Sequence, residues 1–265
     1  MKSRLDKLLL QRGLAPSRER GQALILAGRV LVNEQKVEKA GANVEEDATI
    51  RILGDDQPFV SRGGFKLARA LEHWRVDVRN QCCMDIGAST GGFTDCLLQN
   101  GASRVIAVDT GYGQMDLKLR RDPRVHLLEK TNARYLTPEQ IWDGADKREP
   151  ISFIAMDVSF ISATLVLPAV VRCVRTSALG NAFELVLLVK PQFEVGRGQV
   201  GKGGIVRDPQ AQQTAVTRVT GAVEELGGTD IEVIDSPILG AEGNREFLLH
   251  ACFLPLPAKW PAALH

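Results

Sequence analysis

Four charged residues, far apart in the chain, have the side chains needed to deprotonate an unreactive hydroxyl group. They are Lys66 in FVSRGGFKL, Asp157 in AMDVSFIS, Lys190 in LLVKPQFEVG and Glu246 in GNREFLL. A lysine that is desolvated near a second cation gives up its proton more readily and can act as a base, while carboxylates orient and compensate such lysines. Taken singly, each residue could instead belong to a surface ion pair. The apolar runs that end at Asp157 and Lys190 favour the catalytic interpretation.

A glycine-rich turn lies between the first two of these residues and predicts a site for a nucleotide-like cofactor. In CCMDIGASTGGF, an apolar strand over 82–86 leads into a turn over 87–92 and then into a helix. Glycines let the backbone approach a ligand closely, and a helix N-terminus attracts negative charge. Asp109 ends the next strand, where a carboxylate can accept hydrogen bonds from both ribose hydroxyls. Asp85, just before the turn, could hold the amides of the turn or face an amino group of the cofactor.

Together, the four charged residues and the turn predict a reaction class. They point to methyl transfer from S-adenosylmethionine (SAM) to a ribose 2′-hydroxyl. The dinucleotide fingerprint GxGxxG is absent, which weakens an NAD interpretation. Methyltransferases that act on amino groups usually carry [DN]PP[YF] where this chain has DVSF, so the missing prolines favour a hydroxyl acceptor. No cluster of residues with metal-ligand spacing is evident, and we expect no metal.

One competing motif is GASTG, which fits the GxSxG nucleophile elbow of α/β-hydrolases. In that interpretation Ser89 would be the nucleophile and His250 its base. The motif follows the first strand of the predicted sheet, however, whereas an elbow normally follows several strands. His250 also falls in an apolar strand pattern rather than in a loop. Both observations make a hydrolase the weaker alternative.

The alternation of strands and helices predicts the fold that would position the charged residues. Seven apolar runs alternating with helical segments indicate an α/β, doubly wound, Rossmann-like sheet. No helix separates the last two strands, which favours an antiparallel closing strand. Open sheets of this kind place their sites at the carboxyl ends of the strands, where Asp157 and Lys190 lie. The predicted strands cover 82–86, 104–109, 124–128, 151–157, 184–190, 231–235 and 246–253, and the main helices cover 65–74, 92–100, 162–174 and 209–226.

The first 53 residues have a different pattern and predict a small α+β domain. A helix with apolar residues at helical spacing ends at Gly13, a second begins after Ser17 as its N-cap, and short strands follow. Residues 54–58 are polar and rich in breakers, so we predict a linker over 54–60 between domains over 1–53 and 61–265. Residues 1–39 contain nine basic and four acidic residues, which alone could be a solvated face.

The overall composition is that of a soluble globular protein. The chain has 265 residues, 44% hydrophobic content and a net charge of +1, so it has no general polyanion-binding signature. Its five cysteines form an odd number with no CxxC pair, which suits buried thiols in a reducing compartment. No signal peptide or membrane-spanning run is visible, and we therefore expect a cytoplasmic protein.

Several blocks in order make the chain resemble the TlyA family, haemolysin-named rRNA 2′-O-methyltransferases with an S4 domain ahead of an FtsJ-like domain. The blocks include SRLDKLLLQRGLAPSRERGQALILAGRVLVN, FVSRGGFKL, DIGASTGGFTD, MDVSFIS and GNREFLL. The resemblance implies methylation of a cytidine ribose in ribosomal RNA, with Lys66, Asp157, Lys190 and Glu246 as the catalytic set. The SAM-binding positions that it implies or that the turn predicts are Asp85, Gly87, Ala88, Ser89, Gly91, Gly92, Phe93, Thr94, Asp109, Asn132 and Asp157.

For the N-terminal domain the resemblance implies an S4-like fold that contacts RNA phosphates through one basic face. Phosphate contacts position an enzyme without reading sequence, so the target must be selected by RNA shape or by a displaced nucleotide. We expect ribosomal RNA, in a subunit or a whole ribosome, as the partner, and no obligate protein partner. Two alternatives remain: an RNA-binding module with an inactive methyltransferase site, and a membrane-lytic protein. The cations predicted to contact RNA are Arg4, Lys7, Arg12, Arg18, Arg20 and Arg29.

Overall fold

The structure of the chain, a computed structural model, describes residues 2–15, 17–53, 58–142, 149–177, 182–240 and 242–255. By its internal contacts the chain divides into two units, Met1–Pro58 and Phe59–His265. Most of the predicted linker, residues 54–57, lies outside the described residues. The predicted domain boundaries therefore stay predictions.

The N-terminal unit contains the predicted pair of helices and more short strands than the sequence pattern indicated. Strands β2, β3 and β5 form one antiparallel sheet, and β1 pairs with β4 in a second. β1 and β4 have three mostly polar residues each, KSR and NVE, so they lack the apolar run that indicates a strand. Its elements are β1 (Lys2–Arg4), α1 (Leu5–Gln11), α2 (Arg18–Leu26), β2 (Val30–Val32), β3 (Gln35–Lys36), β4 (Asn43–Glu45) and β5 (Ile50–Ile52).

Local residue choices explain where the two helices of this unit begin and end. The Ser17 side chain accepts a hydrogen bond from the Arg20 backbone N–H, which confirms the predicted N-cap of α2. Gly13 and Gly28, which follow the helices, have φ angles of +67° and +66°. Such left-handed positions end helices at little cost only when the residue is glycine. The leucines predicted to form the apolar face of α1 are buried in the core of the unit.

The C-terminal unit contains a seven-stranded sheet in the order β11-β12-β10-β9-β6-β7-β8. β12 is antiparallel to both of its neighbours, which confirms the predicted closing strand, and the remaining pairs are parallel. The strands are β6 (Cys82–Ile86), β7 (Arg104–Val108), β8 (Val125–Leu128), β9 (Ile151–Met156), β10 (Phe183–Val189), β11 (Gly228–Asp235) and β12 (Phe247–Phe253). The α-helices are α3 (Gly63–Trp74), α4 (Gly92–Gln99), α5 (Leu117–Arg120), α6 (Pro138–Ile141), α7 (Ala163–Ser177), α8 (Pro191–Glu194) and α9 (Pro209–Glu225).

Two apolar layers cover this sheet, one on each face. Helices α3 and α4 pack on one face, and α7 and α9 pack on the other. Successive residues of β6 point to opposite layers, with Cys83 in the first and Met84 in the second, as strand geometry requires. Burial on both faces explains why the central strands are continuous apolar runs. Within the described part of the chain, no helix is both long and apolar enough to cross a membrane.

Candidate active site

The four charged residues predicted from the sequence form two lysine–carboxylate pairs. Lys66 Nζ, on the first turn of α3, lies 2.6 Å from Glu246 Oε2, and this pair is buried. Lys190 Nζ lies 2.6 Å from Asp157 Oδ1 and donates a hydrogen bond to Ser159 Oγ at 2.6 Å. The Lys190–Asp157 contact is an ion pair without the alignment of a hydrogen bond. Each lysine thus keeps donor capacity for a further oxygen.

The ends of three strands place these side chains. Asp157 and Lys190 follow the last residues of β9 and β10, and Glu246 precedes the first residue of β12. β10 lies between β9 and β12 in the sheet, so the three residues meet at one edge. The Asp157 backbone N–H donates to the Ile86 carbonyl at 2.8 Å, which also joins this edge to the end of β6. The predicted strands 151–157 and 184–190 ended one residue too late, because Asp157 and Lys190 belong to the segments that follow β9 and β10.

All four catalytic candidates line one cavity of about 270 Å³. The turn after β6 forms another part of its wall, through Gly87, Gly92 and Phe93 among others. The cavity therefore brings together the two motifs that the sequence analysis treated separately. Its complete lining is Ser61, Arg62, Gly63, Lys66, Gly87, Ala88, Ser89, Thr90, Gly92, Phe93, Asp157, Lys190, Ile238, Leu239 and Glu246.

A second cavity of about 270 Å³ adjoins the first and shares Gly87, Ser89 and Asp157 with it. Asp109 and Asn132, the two other predicted cofactor residues with exposed polar groups, line this second cavity. The Asp109 carboxylate accepts hydrogen bonds from the backbone N–H groups of Ser89 at 2.8 Å and Gly111 at 2.6 Å. Each carboxylate oxygen has two lone pairs, so both can still accept from a ligand hydroxyl.

Gly87 shapes the boundary between the two cavities. Its φ angle is +87°, and a Cβ atom at this position would overlap the carbonyl oxygen of Asp157. Only glycine allows the end of β6 to approach the end of β9 this closely. Ser89, two residues later, also has a positive φ of 48°, an uncommon conformation for a residue with a side chain.

Two of the predicted cofactor residues lie beneath the turn rather than on its surface. Asp85 and Thr94 are fully buried and line neither cavity, and the Thr94 hydroxyl donates to Asp85 Oδ2 at 2.6 Å. Burial, and to a smaller degree the nearby Asp157 carboxylate, raise the pKa of Asp85 to about 7. Gly91 is likewise buried and outside both linings. Asp85 thus joins the end of β6 to the start of α4, and both roles considered for it stay predictions.

Three residues around the site were not predicted individually. Ser159 holds Lys190, and Phe160 is 93% exposed with a φ of 65°. Both residues belong to the DVSF segment. The departure of this segment from [DN]PP[YF] was the one sequence feature that could have indicated their importance. The buried Glu194 accepts hydrogen bonds from Ser162 Oγ at 2.5 Å and from the Ala163 N–H at 2.7 Å. It thereby ties the segment that follows β10 to the segment that follows β9.

Within the described residues, the site has no histidine base of the kind that a hydrolase would need. His250 Nε2 is 2.8 Å from Glu184 Oε2, and its ring stacks on Trp74. Among the described histidines, none lines either cavity. Ser89 lines both cavities but has no imidazole partner in this part of the chain, so the nucleophile-elbow interpretation lacks its second residue.

The predicted RNA-binding cations divide into two groups. Arg4 and Arg18 both bind the carboxylate of Asp6, whose side chain is fully buried, and these contacts hold the pKa of Asp6 well below its usual range. Arg12 donates to the backbone carbonyls of Glu46 and Ala48, and Arg29 donates to that of Leu53. These four arginines therefore have structural partners, although Arg4 and Arg18 remain partly exposed. Lys7 and Arg20 are exposed on the two helices.

Comparison with known proteins places the chain in a family. Residues 59–253 match the FtsJ-like methyltransferase family, and residues 3–50 match the S4 domain. The chain is 45% identical over 249 residues to the 16S/23S rRNA (cytidine-2′-O)-methyltransferase TlyA of Mycobacterium tuberculosis, covering 94% of this chain and 89% of that protein. The chain belongs to the TlyA group of FtsJ-like methyltransferases.

Other TlyA-like proteins agree with this assignment. The chain is 45% identical to YqxC of Bacillus subtilis, which is named as a candidate rRNA methyltransferase, and the match covers 94% of this chain and 85% of YqxC. The solved structure of a candidate hemolysin from Streptococcus thermophilus superposes with a TM-score of 0.70 at 40% identity. That superposition covers 96% of this chain and 89% of the other. The predicted resemblance and fold class are confirmed.

Proposed function

We propose that this TlyA-like protein transfers a methyl group from SAM to the 2′-hydroxyl of a cytidine ribose in ribosomal RNA. The observation that carries the proposal is the pair of adjoining cavities in the C-terminal unit. One is lined by both lysine–carboxylate pairs, the other by Asp109 and Asn132, and Asp157 borders both. A hydroxyl acceptor in the first cavity would thus lie beside a nucleoside cofactor in the second.

Several features of the second cavity support the proposal that SAM binds there. Gly87 lets the end of β6 pass directly against the Asp157 carbonyl where the two cavities meet, and Asp109 offers a carboxylate for ribose hydroxyls. Asn132 and the backbone around Val158 could hold the adenine end, while Gly87 and Ser89 lead toward the first cavity. When bound, SAM supplies an electrophilic methyl group that needs no metal for its transfer.

The chain's own residues would orient the acceptor and take its proton. Lys66, neutralised by Glu246, can donate a hydrogen bond to the attacking oxygen and stabilise its developing negative charge. Lys190, held between Asp157 and Ser159, would receive the 2′-hydroxyl proton after its ammonium group has released one to solvent. Because methyl transfer is an in-line attack, much of the rate would come from holding the oxygen in position.

The N-terminal unit would supply RNA affinity. Lys7 and Arg20 are exposed on adjacent helices, and Arg4 and Arg18 present partly exposed guanidinium groups around Asp6. Contacts of this type bind phosphates without reading bases. The target ribose must still leave its helix to reach the first cavity, at a cost of a few kcal/mol if its base is paired.

Labelled SAM and ribosomal particles from a strain that lacks this gene provide the test. Wild type and Lys190→Ala are incubated with small subunits, large subunits and 70S ribosomes, and transfer is mapped to a nucleotide. We expect label on one ribose and a loss of about 10²–10⁴-fold in the variant, the usual contribution of a positioned acid or base. SAM affinity, measured by calorimetry, should change little because Lys190 lines only the first of the two cavities.

Lys118→Ala is the matched control, since this lysine is exposed on α5 and lines neither cavity. It should transfer label at the wild-type rate. Equal transfer by wild type and Lys190→Ala would contradict the role given to Lys190. Binding of SAM without transfer to any ribosomal particle would exclude ribosomal RNA, and RNA binding without SAM binding would leave an inactive RNA-binding module.

A further inference from the structure

A cluster of possible metal ligands lies at the ends of β10 and β12 that are remote from the catalytic residues. Ligand atoms of Glu184, His250 and Cys252 all lie within 4.8 Å of one another. Glu184 is directly opposite Cys252 in the antiparallel pair, and His250 is two residues from Cys252. Side chains two residues apart in a strand point to the same face, so all three project from one side of the sheet.

On this side of the sheet, the part of β10 and β12 that lies beneath helix α3 is apolar. Val186, Leu188 and Leu248 pack into the layer beneath α3, whose last residue is Trp74. The next residues on this face of β10 and β12, level with Trp74 at the end of α3, are Glu184, His250 and Cys252. Trp74 stacks on His250, whose side chain is only 10% exposed, but solvent reaches the cluster through Glu184, whose side chain is 40% exposed.

The orientation of His250 is already fixed. Its ring stacks on Trp74 with centroids 5.1 Å apart and an angle of 22° between the planes. Trp74 Nε1 in turn donates at 2.7 Å to Glu232, the residue opposite His250 on β11. His250 Nε2 thus faces Glu184 at 2.8 Å. A ligand whose rotamer is held by packing and by neighbouring hydrogen bonds loses little freedom when a metal binds.

We propose that Glu184, His250 and Cys252 form a binding site for a divalent transition metal, with Zn²⁺ as the favoured ion. Imidazole nitrogen, thiolate sulfur and carboxylate oxygen are the donors that zinc takes in proteins, at about 2.0–2.3 Å. Binding would separate the present His–Glu contact slightly and release the thiol proton to solvent. A water molecule would complete four-coordination.

The site would act on stability rather than on the chemistry of methyl transfer. A metal shared by Glu184 and the two β12 residues would cross-link β10 to the closing strand. Lys190 and Glu246 border the other ends of these strands, six residues from Glu184 and Cys252 respectively, or roughly 20 Å at about 3.3 Å per residue. Burial, and then the charges of Glu184 and Asp230, raise the pKa of the Cys252 thiol. A bound cation would offset the negative charge of both carboxylates and so favour the thiolate.

The test uses the full chain, freed of metal by chelation and dialysis. Zinc chloride is titrated by calorimetry, and Co²⁺ replaces it for absorbance spectroscopy. We expect one equivalent to bind, with a sulfur-to-cobalt charge-transfer band. At zinc about a hundredfold above its dissociation constant, the melting temperature should rise by roughly 5–10 °C. Bound zinc should also slow the reaction of Cys252 with a thiol reagent. This reaction is specific for Cys252 because the other four cysteines are buried.

Variants assign the ligands. Cys252→Ser should abolish the charge-transfer band and weaken zinc binding by at least about tenfold, and Glu184→Gln should weaken it without removing the band. Glu184→Gln also serves if the serine variant does not fold, because the Glu184 side chain is partly exposed. His73→Gln is the control: His73 is next to Trp74 but outside the cluster, and zinc binding should be retained. No zinc binding by wild type, or equal affinity in Cys252→Ser, would overturn the proposal and leave a histidine–glutamate pair alone.

Discussion

At the scale of single residues, the site is notable for how its charges are balanced. Each lysine has its own carboxylate within 2.6 Å, so the two lysine–carboxylate pairs carry no net charge, and Arg62 is a further cation in the lining of the first cavity. Buried charges persist only when they are paired in this way. Asp85 is the exception, since it is fully buried, binds the hydroxyl of Thr94, and has no bonding partner at Oδ1 among the described residues.

Asp85 should make the stability of the protein depend on pH. Its pKa is about 7 in the folded chain and near 3.8 when unfolded, so the folded state holds more protons between these values. The free energy of unfolding should therefore fall as the pH rises from about 4 to about 7, by up to about 1.4 kcal/mol per pH unit. Asp85→Asn, which cannot ionise, should lose this slope. Urea unfolding at several pH values from 4.5 to 7.5 measures it.

Asp77→Asn is the control for this measurement. Asp77 is exposed, and its bonds to Arg79 lower its pKa to about 2, below the window. Its removal should leave the slope between pH 4.5 and 7.5 unchanged. Parallel pH profiles for wild type and Asp85→Asn would show that Asp85 is ionised throughout this range in the folded protein.

At the scale of elements, the turn between β6 and α4 determines where the two cavities meet. It needs glycine at a position with positive φ because the end of β9 passes directly against it. The side-chain bond between Asp85 and Thr94 joins the strand to the helix on either side of the turn. The turn is therefore constrained by both its backbone conformation and its neighbours.

Gly87→Ala should disturb this junction specifically. The new methyl group would overlap the Asp157 carbonyl, and the alanine would have to keep a positive φ angle that is unfavourable for it. Asp157 and the cofactor cavity must therefore both shift. We expect SAM affinity to fall by at least about tenfold, as for a cost of about 1.4 kcal/mol or more. Calorimetric titration with SAM measures this loss, and a thermal melt reports any accompanying change in stability.

Gly113→Ala separates the effect of the clash from that of the backbone angle. Gly113 also has a positive φ, +71°, but a Cβ there would meet nothing within 4 Å. This variant should share the conformational cost yet bind SAM nearly as wild type. If both variants bound SAM equally weakly, strain in the loops rather than contact with Asp157 would control the site.

At the scale of the whole molecule, charge is distributed unevenly although the total is only +1. Of the cations in the N-terminal unit, Arg4, Arg12, Arg18 and Arg29 also stabilise the fold through Asp6 or backbone carbonyls. Substituting these would change folding as well as RNA binding. The exposed Lys7 and Arg20 are therefore the better probes of the RNA surface.

Lys7→Glu and Arg20→Glu should each weaken binding to ribosomal particles while leaving SAM affinity unchanged. Each removes a phosphate contact, so the dependence of log affinity on log salt should become shallower by about one unit. Arg172→Glu, on the exposed side of α7 in the other unit, provides the control with the same change of charge. Affinities measured from 50 to 200 mM salt, roughly the range over which such contacts are screened, give this slope for each variant. Unchanged slopes for both variants would place the RNA contact elsewhere.

The sequence by itself determined the seven-stranded sheet and its antiparallel closing strand, and it singled out four charged residues that line one cavity. These follow from local causes, because buried strands need continuous apolar runs and a helix-free connection cannot join parallel neighbours. It did not show β1 and β4, which are short and mostly polar and form strands through pairing between distant segments.

Only the tertiary structure decided which lysine pairs with which carboxylate. Lys66 and Glu246 are 180 positions apart, and nothing in either motif indicates that α3 faces the start of β12. The same applies to Asp85 and Thr94, whose motif suggested contact with a cofactor but whose side chains turn inward toward each other. Motifs specify residue types and the ends of elements, whereas side-chain direction and partner choice depend on packing between elements that the chain brings together only on folding.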